Sequence, residues 1–455
     1  MRLTTLLALL SLLFSPTLAR PWNTSDPCPD TIKTVVSHDP CRDSLNGPWC
    51  KNVPEFSSMD SVHAALVTCP NITALDLRVT LAGCSGWPDR WNFPFKHTAG
   101  EKYPPLKFLK LEGYEFGEVS HLSETEHDLK NALHNAASCV KNSWSNIWAR
   151  EQPPSKGQHL KSNFGLWLDA MDWSGVEELG IVGYRYGVTG EVLEKLPPRL
   201  TALKRLEMTN VSFVRALSNN TLTHITWVGA SKHGDLSSIL AHQGESLESL
   251  EFRCEEISCP SFPAQLDIST LPKLAPNLKH LAINVPRNGT WPLESLTAIA
   301  SLPHLRTADL YMNIQSPCVH QRPDRYSMRR EEWMENDMWN NCKGEDQFHR
   351  PFLNESSALE LYKLIGSQKA QALDEVTFWV GDWSRPWDGP IYIPPWIEGR
   401  RAKFTCKKEG MGEDEVRCEA KGDKEYWKHG GEGGQYWAME NEWDDDYDYE
   451  ENIEL

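Results

Sequence analysis

One short pattern of apolar and polar positions recurs along the chain: apolar-x-x-apolar-x-apolar. It reads Ile72-Leu75-Leu77, Leu106-Leu109-Leu111, Val176-Leu179-Ile181, Leu203-Leu206-Met208, Leu222-Ile225-Trp227, Leu247-Leu250-Phe252, Leu278-Leu281-Ile283 and Leu373-Val376-Phe378. A weaker copy, Leu305-Ala308-Leu310, precedes the last. The last two apolar positions alternate with polar ones, as in a strand buried on one face. Between the phrases, helical spacing is predicted over Ser61–Leu66, Leu293–Leu302 and Ser357–Leu364. Phe404–Cys418 reads as a hairpin turning at Gly410–Gly412.

The first positions lie 34, 70, 27, 19, 25, 31, 27 and 68 residues apart, most of them near the period of leucine-rich repeats. The fold class read from this is α/β, a leucine-rich-repeat solenoid over residues 59–385. Insertions are expected near 120–165 and 318–350. The first carries a capping box, Ser123 with Glu126, followed by Leu129, Leu133, Ala137, Val140, Trp144 and Ile147 on one helical face. Regular repeats set an Asn three residues after the last apolar position. Here Thr80, Tyr114 and Tyr184 stand there, which predicts an irregular horseshoe or arc. Disulfide-stapled caps are expected at 20–58, with Cys28, Cys41 and Cys50, and at 386–429.

The ends place the chain in a compartment. Residues 1–19 read as a signal peptide, with Arg2, an apolar core and the small Ala19 at the cleavage position. No later run is long enough for a membrane span. Twelve cysteines fit an oxidising compartment. Six sequons, at Asn23, Asn71, Asn210, Asn219, Asn288 and Asn354, predict a glycoprotein. The formal charge is −17, and 440–455 holds nine acids and no base, leaving −8 elsewhere. No basic stripe is present to bind nucleic acid. Residues 430–455 read as a disordered acidic tail, and its terminal Glu454-Leu455 admits retention in the ER lumen as the alternative to secretion.

Catalytic and metal signals are poor, and no cofactor is predicted. The chain has no nucleophile elbow, His-Glu-x-x-His or phosphate loop. Asp169 and Asp172 beside Trp167 and Trp173 resemble a glycosidase pair, but at this spacing they share one helix face. His121, His127 and His134 share no face. Cys318 with Cys342, and Cys406 with Cys418, bracket compact segments free of other cysteines and are expected to pair. Of the 19 tryptophans, Trp144 and Trp227 fall on buried positions, whereas Trp379 points outward.

Strand alternation then defines the solvent face. One outward column runs Asp76, Lys110, Gly180, Glu207, Thr226, Glu251, Ala282, Asp309 and Thr377. The next runs Arg78, Glu112, Val182, Thr209, Val228, Arg253, Asn284, Tyr311 and Trp379. The candidate binding residues are Glu207, Glu251, Arg253, Asp309, Tyr311 and Trp379, a mixture suited to a protein or glycan ligand.

The phrases PNLKHLAI and ESLESLEF resemble the irregular leucine-rich repeats of fungal F-box-type proteins. LWLDAMDWSGVEELGI, with the signal peptide and the Cys- and Trp-rich ends, is more similar to secreted ascomycete relatives of that group. The resemblance covers about residues 60–385, and no F-box precedes the repeats. It implies a secreted, non-catalytic binding scaffold. The alternatives are an ER-lumenal scaffold with an acidic tail and a hydrolase with loop-borne carboxylates.

Overall fold

A computed structural model of the chain describes residues 26–36, 56, 59–79, 100–114, 162–182, 190–229, 235–256, 268–316, 348–367, 373–381, 400–408, 416–423, 426–427 and 435–436. The expected signal peptide and capping box at Ser123, most of the two expected insertions, Asn23, Cys318 and Cys342 lie outside these residues. The chain divides into two compact units: the first runs to Trp227 and includes Ser238–Leu247, and the second takes Val228–Ser237 and the described residues from Glu248 onward.

The first unit contains β1 (Thr31–Val36), α1 (Met59–Thr68), β2 (Ala74–Val79), β3 (Phe108–Glu112), α2 (Asn163–Ala170), β4 (Glu178–Val182), α3 (Gly190–Lys195), β5 (Arg205–Glu207), α4 (Val211–Ala216), β6 (His224–Val228) and most of α5 (Asp235–Gln243). Its strands pair in parallel and in chain order. Parallel neighbours need a crossover, and the helices supply it. Each phrase begins with a fully turned-in residue: Ile72, Leu106, Val176 and Leu222 are all buried. The two apolar residues that follow in each strand are buried as well. Burial alternates along β2, β3 and β6 as the pattern predicts.

A repeated hydrogen bond sets the register. The carbonyl one residue after the first apolar position accepts from two consecutive amides of the next repeat. Thr73 O serves Lys107 and Phe108, Lys107 O serves Glu177 and Glu178, Glu177 O serves Lys204 and Arg205, and Lys204 O serves Thr223 and His224. Gly113 ends β3 with φ +71°, and a Cβ there would stand 2.6 Å from Val79 O, so only glycine fits. Gln243, fully buried, closes the loop before β6. Its Oε1 accepts from Thr221 N and Leu222 N, and its Nε2 donates to Ser218 O. Trp167 and Trp173 fill the space behind α2. Tyr103 and Tyr114 meet Trp167 edge-on, and Trp167 Nε1 donates to Tyr114 Oη at 3.1 Å.

Within the cap expected at 20–58, Thr31–Val36 forms a strand parallel to β2, which the sequence pattern did not mark. Ile32, Thr34 and Val36 alternate inward, but a lone Thr among two apolar residues breaks the phrase. Cys28 pairs with Cys69 at the end of α1, so the staple joins the N-terminal segment to the first repeat.

The second unit contains β7 (Ser249–Arg253), α6 (Leu271–Leu274), β8 (His280–Asn284), α7 (Leu293–Ala300), β9 (Thr307–Met312), α8 (Glu355–Ser367), β10 (Glu375–Val380), β11 (Ala402–Lys408), β12 (Val416–Gly422) and β13 (Gln435–Tyr436). β7 to β10 are parallel and in order, β11 and β12 add as an antiparallel hairpin, and β13 pairs in parallel with β12. The same doubly accepting carbonyl returns at Glu248, Lys279 and Arg306. The predicted hairpin is present, and Cys406 bonds to Cys418 across it. β13 corrects the reading of residues after Gly430 as wholly unstructured.

Two outcomes follow. Leu281 is completely buried in β8, so Leu281→Ala should lower stability by about 2–5 kcal/mol, read as a lower urea midpoint. Burial raises the phenols of Tyr103, Tyr114 and Tyr426 well above 10.0. The unfolded chain releases these protons near pH 10 while the folded chain retains them, so stability is complete below pH 10 and falls above it. A pH series of melting temperatures should show the drop beginning there, with phenolate absorbance of the buried tyrosines appearing only as the chain unfolds.

Candidate functional site

In the second unit, register brings the outward residues into columns. Glu251 faces Ala282, which faces Asp309, which faces Thr377. In the neighbouring column Asn284 faces Tyr311, Tyr311 faces Trp379, and Trp379 faces Lys403 of β11. Tyr311 and Trp379 stack with their rings 5.7 Å apart and 4° from parallel. The Arg253 guanidinium lies 4.6 Å from the Tyr311 centroid, and Lys403 Nζ lies 4.9 Å from the Trp379 centroid. The strand order β7, β8, β9, β10, β11 puts the two cations on opposite ends of the stack. The result is a cation–aromatic–aromatic–cation ladder, each cation–ring contact contributing about 0.5–2 kcal/mol.

The neighbouring column orients this ladder. Arg253 Nε donates to Glu251 Oε1 at 2.7 Å, and Trp379 Nε1 donates to Asp309 Oδ1 at 3.0 Å. Asp309 Oδ2 is also 3.8 Å from His280 Nε2, and His280 Nδ1 bonds Thr307 Oγ1 at 2.8 Å. Both flat faces of the aromatic pair are thus taken by protein groups.

Three outward expectations need correction. Asn284 is fully buried, not outward: its Oδ1 accepts from Cys254 N at 2.6 Å and its Nδ2 donates to Cys254 O at 3.2 Å. With Asn284 turned inward, Arg253 reaches across β8 to Tyr311. Ala282 and Thr377 point outward in register but are 4 % and 5 % exposed, because both are short and stand in a row with longer side chains. Glu207 belongs to the first unit, where its Oε2 meets Lys110 Nζ at 2.7 Å. Gly180 stands between them in register, and a Cβ there would come 2.9 Å from Lys110 Cγ. Arg78 pairs with Glu112, and Lys33 with Asp76, so the outward charges of the first unit are mutually neutralised.

A buried polar network past the ends of β8 and β9 was not anticipated. Asn313 stands three residues after Leu310, the ladder position empty in earlier repeats, and its Oδ1 accepts from Arg287 N at 2.9 Å. The Arg287 guanidinium donates to Pro351 O at 2.5 Å and to Asn313 O. Burial lowers its affinity for the proton. Glu256 accepts from the consecutive amides of Ile314 and Gln315, both at 2.9 Å. Tyr426 Oη donates to Leu353 O at 2.8 Å. These side chains satisfy backbone groups of irregular segments, a structural duty.

In the first unit, His63 Nδ1 lies 2.9 Å from Tyr103 Oη and His63 Nε2 lies 3.4 Å from Glu101 Oε2. These three residues are separated in sequence by 38 and 2 positions, and no motif announces them. Asp169 is exposed on α2, but that helix ends at Ala170, so Asp172 lies beyond it rather than on a shared face. Asp172 accepts from Ser174 N, which lowers its pKa. Among the described residues no group of three or more His, Cys, Asp or Glu is placed to hold a metal ion, and no helix is long and apolar enough to cross a membrane.

The five described sequons all lie off the strands. Asn71, Asn219, Asn288 and Asn354 are exposed. Asn210 caps α4 by accepting from Phe213 N, and Asn354 caps α8 by accepting from Ser357 N. Models of known protein families match no part of the chain, and a search of curated proteins finds no match either.

Asn284 supplies the checkable outcome. Asn284→Ala leaves Cys254 N and O buried without these partners and should cost about 2 kcal/mol by urea denaturation. Arg253 should also lose its fixed path to Tyr311, read as a change in the near-UV circular dichroism of the folded variant.

Proposed function

We propose that the chain is a secreted, glycosylated leucine-rich-repeat solenoid that binds a protein partner through the outward face of β7–β11, without catalysis. The recurring phrase, the parallel strands in chain order and Asn313 at the ladder position support the repeat assignment. Disulfides at Cys28–Cys69 and Cys406–Cys418 are compatible with secretion. Among the described residues the sequons lie off the strands, which keeps their attachment points away from the strand face.

One observation carries the choice of partner, namely that the aromatic pair is sandwiched. A sugar ring needs an open aromatic face, and here Arg253, the ring stack and Lys403 occupy the faces. Ring edges, Asp309, Glu251 and two cations suit a mixed polar and apolar protein surface. Tyr, Trp and Arg are the residues that most often dominate such contacts.

The test immobilises the mature chain and its Tyr311→Ala/Trp379→Ala variant, and exposes both to extracellular protein extract and to a glycan array. A protein should be retained by the wild type, and its affinity should fall by 2 kcal/mol or more in the variant, on the order of thirtyfold. The array should give no specific signal. Equal retention of that protein by two chains with the same melting temperature would move the site off this face, and a glycan signal lost in the variant would replace the protein reading with a glycan one.

A further inference from the structure

We propose that the acidic tail of the chain is itself an occupant of this face, lying along the cation–aromatic column as an intramolecular competitor for an acidic segment of the partner. The inference rests on the binding-face reading and adds the chemistry of the ligand.

Pairing extends the columns through the hairpin. Trp379 faces Lys403, and Lys403 faces Lys421 of β12. The column therefore runs Arg253, Tyr311, Trp379, Lys403, Lys421, interrupted only by the inward Asn284, and contains cations and aromatics but no acid. The adjacent column runs Glu251, Ala282, Asp309, Thr377, Thr405, Glu419 and contains acids but no cation. Beyond it lie His280, Thr307, Glu375, Lys407 and Arg417. A polyanionic strand is attracted to the first of these columns and repelled by the second, so the pattern fixes both position and orientation.

The chain places such a strand at the head of that column. Gln435 of β13 pairs with Lys421, and Tyr436 with Gly422. Residues 437–455, outside the described residues, hold nine acids and no base, with Trp443, Tyr447 and Tyr449 among them. From Lys421 back to Arg253 the column crosses five strand spacings, about 24 Å. Nineteen residues can extend about 60 Å, more than twice that span. Tethering gives the tail an effective concentration in the millimolar range, so a weak contact suffices.

The experiment titrates a synthetic peptide of residues 437–455 into the chain ending at Tyr436, by calorimetry at low and high salt. Saturable binding is expected at low salt, weakened at least tenfold at high salt and at least tenfold in Lys403→Glu/Lys421→Glu. The charge-reversed variant is used only if its melting temperature matches the parent. Absence of binding at millimolar peptide, or equal binding by the charge-reversed chain, overturns the proposal. If that variant does not fold, Lys421→Gln alone replaces it, with a threefold or greater loss as the expected result and no loss as the refuting one. The two readings fail separately. Partner retention that depends on Tyr311 and Trp379 without any peptide binding defeats the tail alone. Peptide binding with partner retention indifferent to Tyr311 and Trp379 defeats the partner site alone.

Discussion

One carbonyl at the start of a strand, shared by two amides at the start of the next, recurs within each unit and holds its parallel strands in order. Thr73, Lys107, Glu177 and Lys204 do this in the first unit, and Glu248, Lys279 and Arg306 in the second. A parallel strand slipped by one residue would expose every buried side chain, so register must be set where pairing begins. The shared acceptor sits one residue after the first apolar position, where a leucine or its equivalent has just turned into the core. Hydrophobic burial and backbone bonding therefore specify the same alignment. Charges reinforce it weakly: Lys107 meets Glu177, Lys279 meets Glu248, and Arg306 meets Asp374 at these same positions. Each pair is well exposed and contributes little energy, yet opposite signs disfavour a shifted register.

Alignment is what gathers outward residues of the second unit into one row. Arg253, Tyr311, Trp379 and Lys403 come from four strands spread over about 150 residues of chain. None contacts the others through local sequence. Only the shared register sets them in one row, where Arg253 reaches Tyr311 past the buried Asn284 of the strand between them.

The strands β2 to β10 were legible in sequence because one-sided burial imposes period two, and the phrase repeats often enough to be seen. The outward positions of Glu251, Arg253, Asp309, Tyr311 and Trp379 followed directly. β1 was not legible, since Thr34 occupies an inward position that the phrase reserves for an apolar residue. Asn284 was misread because alternation describes strand interiors, whereas the last residue of β8 hydrogen-bonds the backbone of Cys254, just past the end of β7. The Glu256 and Arg287 network escaped for the same reason: its partners are main-chain atoms, which carry no identity in the sequence. Cys406–Cys418 could be inferred from spacing across a hairpin, whereas Cys28–Cys69 joins a strand's approach to the end of a helix, and no local pattern links the two.

The spacing between consecutive phrases ranges from 19 to 70 residues, yet Lys107 receives Glu177 and Glu178 across the long gap just as Lys204 receives Thr223 and His224 across the short one. The register of the strands is therefore the same whether few or many residues separate them. Loops can lengthen, acquire sugars or exchange sequence wholesale while the row of outward side chains keeps its spacing. A chain built this way can diversify its periphery quickly without relinquishing the face it already has.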